Sequence, residues 1–593
     1  MGLLQQAAKT YDTLVRLDKV GKTENDETPL APISHMITRA DIEITLNMEG
    51  KYVSSQLVDK DEPKIPIPVT ESSSGRTSGV CAHPLCDQLC YIASFNEKKH
   101  QAYLLQLEQW TTSEYTHPKL KSILAYVKNG TIIQDLVNAG IIELNDKGLP
   151  KNEKMLVRWV VQNSGGKDAC WTDTSLFQSF IAYYDSLFSD SEKNFCMITG
   201  KYARPALQHP KGIVSANGNA KLISSNDTSG FTYLGRFTDA GQAVEISYEA
   251  SQKAHSALRW LVENQGVSYG GRTFICWSPS VKPIVNPFSS LITGMDPVQE
   301  PENYKKHLQS TLSGKRTSLE PTDSVVIAAF DAATSGRLAL TYYNELQGSD
   351  FLLRLYDWDE KCCWYNGPFG IQSPSLYHIA NCAFGTQQNE RLKTDDRVMR
   401  QQMQRLLACR IDRAKMPADI MRALVNRASM PQAFEDRIWK QILFVACAVV
   451  RKYLYDLEEE WSMSLEVDKL DRSYQFGRLL AVLEKIEKDT YSQEDSRETN
   501  AIRLLSVFTR RPYQTFKTIY ERIRVPYLSK LPYGVQTNYQ KVFEEILSHI
   551  DALGLNDEEL NRPLKETYLM GYYLQQKELY TSKKGKMEEK NND

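Results

Sequence analysis

The chain has 593 residues, of which 41% are hydrophobic and 24% charged, with a formal charge of −2. That balance excludes a disordered chain and a uniformly basic nucleic-acid coat, so any grip on a polyanion must come from local patches. The longest apolar run, ILFVACAVV at 442–450, is about half of what a membrane span requires and predicts a buried helix segment. Eleven cysteines in so long a chain fit reduced thiols. The opening MGLLQQ lacks both a secretory signal and the hydroxyl residue of a myristoylation site. The expectation is a soluble cytoplasmic protein of roughly two to four domains, with no membrane partner.

Leu3, Leu4, Ala7, Ala8, Tyr11 and Leu14 recur at helical spacing and predict a first helix. Ile42, Ile44 and Leu46 then alternate with polar residues, turn at EGK and continue into YVSSQLV, a hairpin pattern. KIPIPVTESSSGRTSG at 64–79 reads as a loop with no regular structure in its middle. Ala250, Ala254, Ala257, Leu258, Leu261 and Val262 form one helical stripe, which Gly266 is placed to end. Residues 272–277, 324–330 and 337–343 are β-branched or aromatic between turn residues and predict strands.

From about residue 390 glycine and strand-formers thin out and helical periodicity takes over. Helices are expected near 467–488, 495–509, 513–525, 535–552 and 562–579, joined by short loops as in an antiparallel bundle. The fold class expected is α+β: a mixed α/β domain over 1–390, a basic helical connector over 391–462, and a helical bundle over 463–593. Ten cations face four aspartates between 391 and 430, and seven face Glu521 alone between 501 and 531. Two such excesses in one helical region predict a channel for nucleic-acid backbone, with Arg503, Arg510 and Arg511 as strand-binding residues.

NAKLISSNDTSGFTYLGRF at 219–237 is polar and pliable. In it Lys221 and Arg236 can neutralise phosphate, while Asn219, Ser224, Ser225 and Asn226 can donate to base edges. Arg76, Thr77 and Ser78, between glycines in GRTSG, offer the same chemistry. These nine residues are the candidate duplex-reading set.

Familiar catalytic patterns are missing. No histidine pair has H-E-x-x-H spacing, and no phosphate-binding glycine loop or nucleophile elbow occurs. CAHPLCDQLC at 81–90 has C-x4-C-x3-C spacing with no second C-x2-C pair, so buried free thiols are expected and no metal or other cofactor. The reading is a binding protein and not an enzyme. A rival is a nuclease with magnesium on Asp227, Asp239 and Glu245, although carboxylates at such intervals are common in any loop-to-helix stretch. Another is a purely structural subunit of a ribonucleoprotein.

FCMITGK (195–201), HPKGI (209–213), the 219–237 stretch, SYEASQKAHSALRWL (247–261) and FICWSP (274–279) carry a resemblance by their order and spacing. It continues through GRLAL (336–340), RASMPQ (427–432), YQFGRLLAVLE (474–484), RETNAIR (497–503) and LMGYYLQQ (569–576). The chain resembles the large subunit of the type I-C CRISPR Cascade surveillance complex (Csd type, Dvulg subtype). GRTSG and LCDQLCYI look like two further family segments, with Gln88 where asparagine is usual.

The resemblance implies a subunit at the 5′-handle end of the CRISPR RNA, beside repeated backbone subunits and a handle-binding subunit. It would inspect duplex DNA for a protospacer-adjacent motif, promote R-loop formation, support the displaced strand and dock a helicase-nuclease, while guide pairing reads the target. It further implies a C-terminal region also made separately as a small subunit. Met463 is the best-placed internal start and Met430 the alternative, and the bundle from Met463 is expected to fold alone.

Overall fold

The computed structural model describes the chain except residues 23–27, 77–78, 164, 216–217, 225–243, 293–295, 335, 493–494, 496 and 591–593, and gives backbone alone at 333 and 582–590. The architecture is α+β: small sheets interleave with helices in the first part, and helices dominate the last. Contacts divide the chain into two units, Met1–Ile284 with Asp323–Gln347, and Val285–Thr322 with Gly348–Asp593. The unit borders fall at 284, 322 and 347, and the second unit runs on through 390 and 462. No helix among the described residues is long and apolar enough to cross a membrane.

In the first unit, helix α1 (Leu3–Arg16) buries Leu3, Ala7, Tyr11 and Leu14 on one face. It packs on helix α2 (Tyr248–Gln265), whose Ala250, Ala254 and Ala257 let the two backbones approach. Ser247 caps α2 by accepting from the Ala250 amide at 3.4 Å. Beneath the pair lies a four-stranded antiparallel sheet in the order Arg337–Gln347, Ser324–Thr334, Arg272–Trp277, Val267–Tyr269. Trp277, fully buried in this core, donates from Nε1 to the Thr10 hydroxyl at 3.0 Å.

A three-stranded sheet holds the expected hairpin, Ile42–Leu46 against Tyr52–Leu57, with Val157–Val161 parallel on its other side. Ile42, Ile44 and Leu46 are fully buried. The proline-rich loop expected at 64–79 is in part regular. Ile65–Pro68 pairs antiparallel with His35–Thr38, and Glu71–Ser74 forms one helical turn capped by Thr70. Proline at alternate positions 66 and 68 leaves residues 65 and 67 to donate to the ladder, so the strand survives.

The second unit centres on helix α4 (Arg472–Lys488), buried on nearly every side, with helix α3 (Asp436–Asp456) holding the fully covered 442–450 run. Helices α5 (Pro512–Arg524), α6 (Tyr533–Asp551) and α7 (Tyr568–Lys590) surround α4, and two short turns, Asn500–Arg503 and Leu505–Phe508, stand where one helix was expected. α4 and α7 cross at glycines: a Cβ on Gly477 would lie 2.0 Å from the Tyr568 carbonyl oxygen, and one on Gly571 2.1 Å from that of Tyr474. No other residue fits that crossing. Met463 is buried, and its carbonyl accepts from the Tyr365 hydroxyl at 2.8 Å.

Candidate nucleic-acid interface

Arg76 follows the 71–74 turn, and both terminal nitrogens of its guanidinium are engaged. Both terminal nitrogens donate to the Asp87 carboxylate, one at 2.8 Å, and one also donates to the Cys81 carbonyl at 2.8 Å. The group lies 4.4 Å from the centre of the Tyr91 ring. Asp87 is completely buried and also accepts from the His83 and Gln88 amides, each at 2.7 Å. Burial alone would discourage the charge on Arg76, and the Asp87 carboxylate more than offsets it, raising the pKa. Arg76 is thus a brace inside the fold. Thr77 and Ser78 lie outside the described residues.

Glu71, also buried, ties down the next segment. It accepts from Arg204 at 2.6 Å and from the amides of Leu207 and Gln208 at 2.9 and 3.2 Å. The chain then runs through Lys211 and returns at Lys221, the two paired as an antiparallel bridge. Lys221 extends the sheet edge: its amide donates to the Gly336 carbonyl at 3.1 Å, and its carbonyl accepts from the Leu338 amide at 3.0 Å. Arg259 reaches over from α2, donating to the Gly212 and Lys211 carbonyls at 2.8 and 2.9 Å. Gly212 has φ +76°, and a Cβ there would stand 2.5 Å from that guanidinium. The position therefore requires glycine.

The result is a half-buried cationic cleft. Lys211 donates to the Arg76 carbonyl at 3.2 Å and to Asn219 Oδ1 at 3.1 Å. Lys221 makes no hydrogen bond or ion pair from its ammonium to any described residue. Burial lowers the pKa of both lysines, and Lys211 is lowered further by Lys221, Arg76 and Arg259. Like charges held together away from bulk water destabilise the empty fold, and an anion seated between them removes that penalty.

Of the residues expected to read duplex DNA, Arg76, Asn219 and Lys221 come together here, with Arg76 on the supporting side. Ser224 is half-buried. Ser225, Asn226 and Arg236 lie outside the described residues, as do Asp227 and Asp239 of the nuclease reading. Lys211 and Arg259 were not singled out from the sequence. The available signal was Arg259 standing off the alanine stripe of its helix and Lys211 preceding a glycine.

Arg503, Arg510 and Arg511 form a second cationic surface. All three are exposed and ion-pair with no described residue. Buried Leu505 and Phe508 anchor the turn between them, and the Thr515 hydroxyl fastens the Arg511 carbonyl at 2.7 Å. The 391–430 excess is different, because much of it is spent within the fold. Arg410 is fully buried on Asp359 at 3.0 Å, Arg405 forks onto Asp419 at 2.6 and 2.8 Å, and Arg427 donates to the Gly385 carbonyl at 2.6 Å. Exposed cations without an ion-pair partner among the described residues are thus found at Arg503, Arg510 and Arg511, whereas Arg405, Arg410 and Arg427 are engaged within the fold.

The cysteines are free, with Cys86 and Cys90 buried and Cys81 half-buried. Burial raises the pKa of all three thiols. Among the described residues no group of three or more His, Cys, Asp or Glu is placed to hold a metal ion.

The sequence profile of the family described as CRISPR-associated protein (Cas_Csd1) matches residues 10–580. No curated protein matches the chain significantly. With the match running over nearly its whole length, the chain belongs to the CRISPR-associated Csd1 family, that of the type I-C Cascade large subunits.

Proposed function

We propose that this Csd1-family chain inspects the protospacer-adjacent motif of target duplex DNA through the Lys211–Lys221 cleft and promotes R-loop formation there. In this reading the two lysines grip phosphate, and the polar residues from Asn219 to Arg236 reach base edges. The displaced strand lies on the Arg503, Arg510 and Arg511 surface, where exposed cations track a backbone without reading it. CRISPR RNA, backbone and handle-binding subunits, small subunits and a helicase-nuclease are the partners. The bundle from Met463 serves as the small-subunit-like part, and the chain works in the cytoplasm by binding and not by catalysis.

The observation that carries the reading is Lys221, a half-buried ammonium beside a second lysine with no described partner. The fully buried Lys119 has a carboxylate partner in Asp173, whereas the half-buried Lys221 has none among the described residues.

The test is affinity of the assembled complex across a set of motif variants, with pre-opened DNA as the control. Lys221→Ala should weaken cognate and non-cognate duplexes alike, by roughly tenfold for a charge-assisted contact of about 1.4 kcal/mol. Asn226→Ala should cost about 1–3 kcal/mol on the cognate motif and little on a wrong one. Unchanged duplex affinity in Lys221→Ala would favour the purely structural subunit. Metal-dependent DNA cleavage by the purified chain would revive the nuclease.

A further inference from the structure

Helix α2 has two working faces. The alanine stripe packs on α1, while Gln252, His255, Ser256 and Arg259, spaced i, i+3, i+4, i+7, line a cavity of about 100 Å³. His35, Trp260 and Lys211 also lie on its wall, together with apolar Met36, Ile37 and Val69. Gln252 is 5% exposed, yet its side-chain amide bonds to no described residue. His255 is 2% exposed, and its Nε2 has no partner among the described residues. Its Nδ1 lies 2.8 Å from the Ser251 carbonyl, which fixes the proton on Nδ1 and leaves Nε2 a bare acceptor. Burial holds the ring neutral, with a pKa lowered to about 4.

The His255 Nε2 is a buried acceptor without a described partner, and the Gln252 amide lies unbonded on the same wall, so the cavity offers a ligand both an acceptor and a donor. The ligand's chemistry follows from the walls. His35, fixed by the Ile33 carbonyl and an edge contact to Phe177, and Trp260 offer ring surfaces to a planar group. His255 asks for a donor on that group, and the Gln252 amide can both give and accept. Lys211 and Arg259, which also belong to the cationic cleft, supply positive charge on the same wall.

We propose that this cavity takes the base of one unstacked nucleotide, with its phosphate on Lys211 and Arg259. The assignment rests on the reading of the cleft as a nucleic-acid site and adds what the cleft alone does not hold, a pocket for a single base. An amino-bearing base meets the His255 acceptor and pairs two-fold with a glutamine amide, as adenine does. The nucleotide is either extruded from a DNA strand or free, and the two sources separate experimentally.

The experiment uses the full-length chain and a forked DNA duplex in which a single abasic residue is walked across the junction. One position should lose about tenfold in affinity when its base is removed. Gln252→Leu should weaken the intact fork by a similar factor and the fork abasic at that position no further, and Ser256→Ala should show the same pattern more weakly. In a parallel arm, melting temperature is followed with deoxyadenosine monophosphate. A rise in the unaltered chain that Gln252→Leu abolishes, together with a flat abasic scan, assigns the pocket to a free nucleotide. A flat scan with no melting shift overturns the proposal and leaves a water-filled cavity. If Lys221→Ala leaves fork affinity intact, the reading of the cleft fails, and the mononucleotide arm still tests the pocket.

Discussion

The cleft of the first unit and the arginine surface of the second both gather cations, but they do so at different cost. Arg503, Arg510 and Arg511 stand in water, where like charges are screened and their presence costs the fold little. Lys211 and Lys221 are half-buried; burial weakens the hold of both on a proton, and Lys221 weakens that of Lys211 further. Exposed cations suit a strand that must slide through in any sequence. Buried ones suit a single anion in one position, because desolvated charge is sensitive to where its partner sits.

Arg76 sharpens the comparison, since it is a cation of the cleft region that already has its anion. Asp87→Asn leaves the shape and removes the charge, so the guanidinium is stranded in a mostly buried site. The expected loss is about 3 kcal/mol of stability, seen as a lower denaturant midpoint with unchanged slope. If instead Asp87→Asn keeps its stability and binds duplex DNA more tightly, Arg76 is a restrained phosphate hand and not a brace.

The arginine surface should show the opposite pattern. Replacing Arg503, Arg510 and Arg511 together with alanine should leave stability within about 0.5 kcal/mol, because no described residue pairs with them. The salt dependence of single-strand binding should flatten by about two in the logarithmic slope, equally for every sequence. A triple variant that melts early, or that loses affinity for one sequence only, would make this surface a protein interface or a reader.

Much of the fold was legible because periodicity reports burial directly. The alanine stripe of α2, the 42–46 alternation and the 442–450 run all turned out as the spacing predicts. The 65–68 strand was hidden because two prolines read as breakers unless their partner strand is known. The re-entry of 323–347 into the first unit was equally invisible, since the strand pattern does not say which sheet receives it. At the cleft, composition pointed to Lys221. Lys211 and Arg259 meet only through backbone contacts 48 residues apart in sequence. The brace on Arg76 lay inside a segment whose cysteines drew attention to metals, while its working residue is Asp87. The polar stripe of α2 was masked by the apolar stripe that made the helix recognisable.

The smallest effect is the most specific to the cleft. Burial places the Lys221 pKa in the folded chain below its ordinary 10.5. Between those two values the unfolded chain binds more protons than the folded one, so stability rises as pH climbs through that window. The penalty is fully present below the folded-state pKa and gone above 10.5. Lys221→Met keeps the aliphatic stem and removes the charge. At neutral pH it should be more stable than the unaltered chain by about 0.5 kcal/mol after solvent screening, and the advantage should shrink as pH approaches the ordinary lysine value. Taking the difference between the two proteins cancels the tyrosines and thiols that titrate in the same range. A short oligonucleotide should erase the advantage at neutral pH by supplying Lys221 with its anion. An advantage that does not change with pH would mean the ammonium carries no burial penalty, and the cleft would then be no different in kind from the arginine surface.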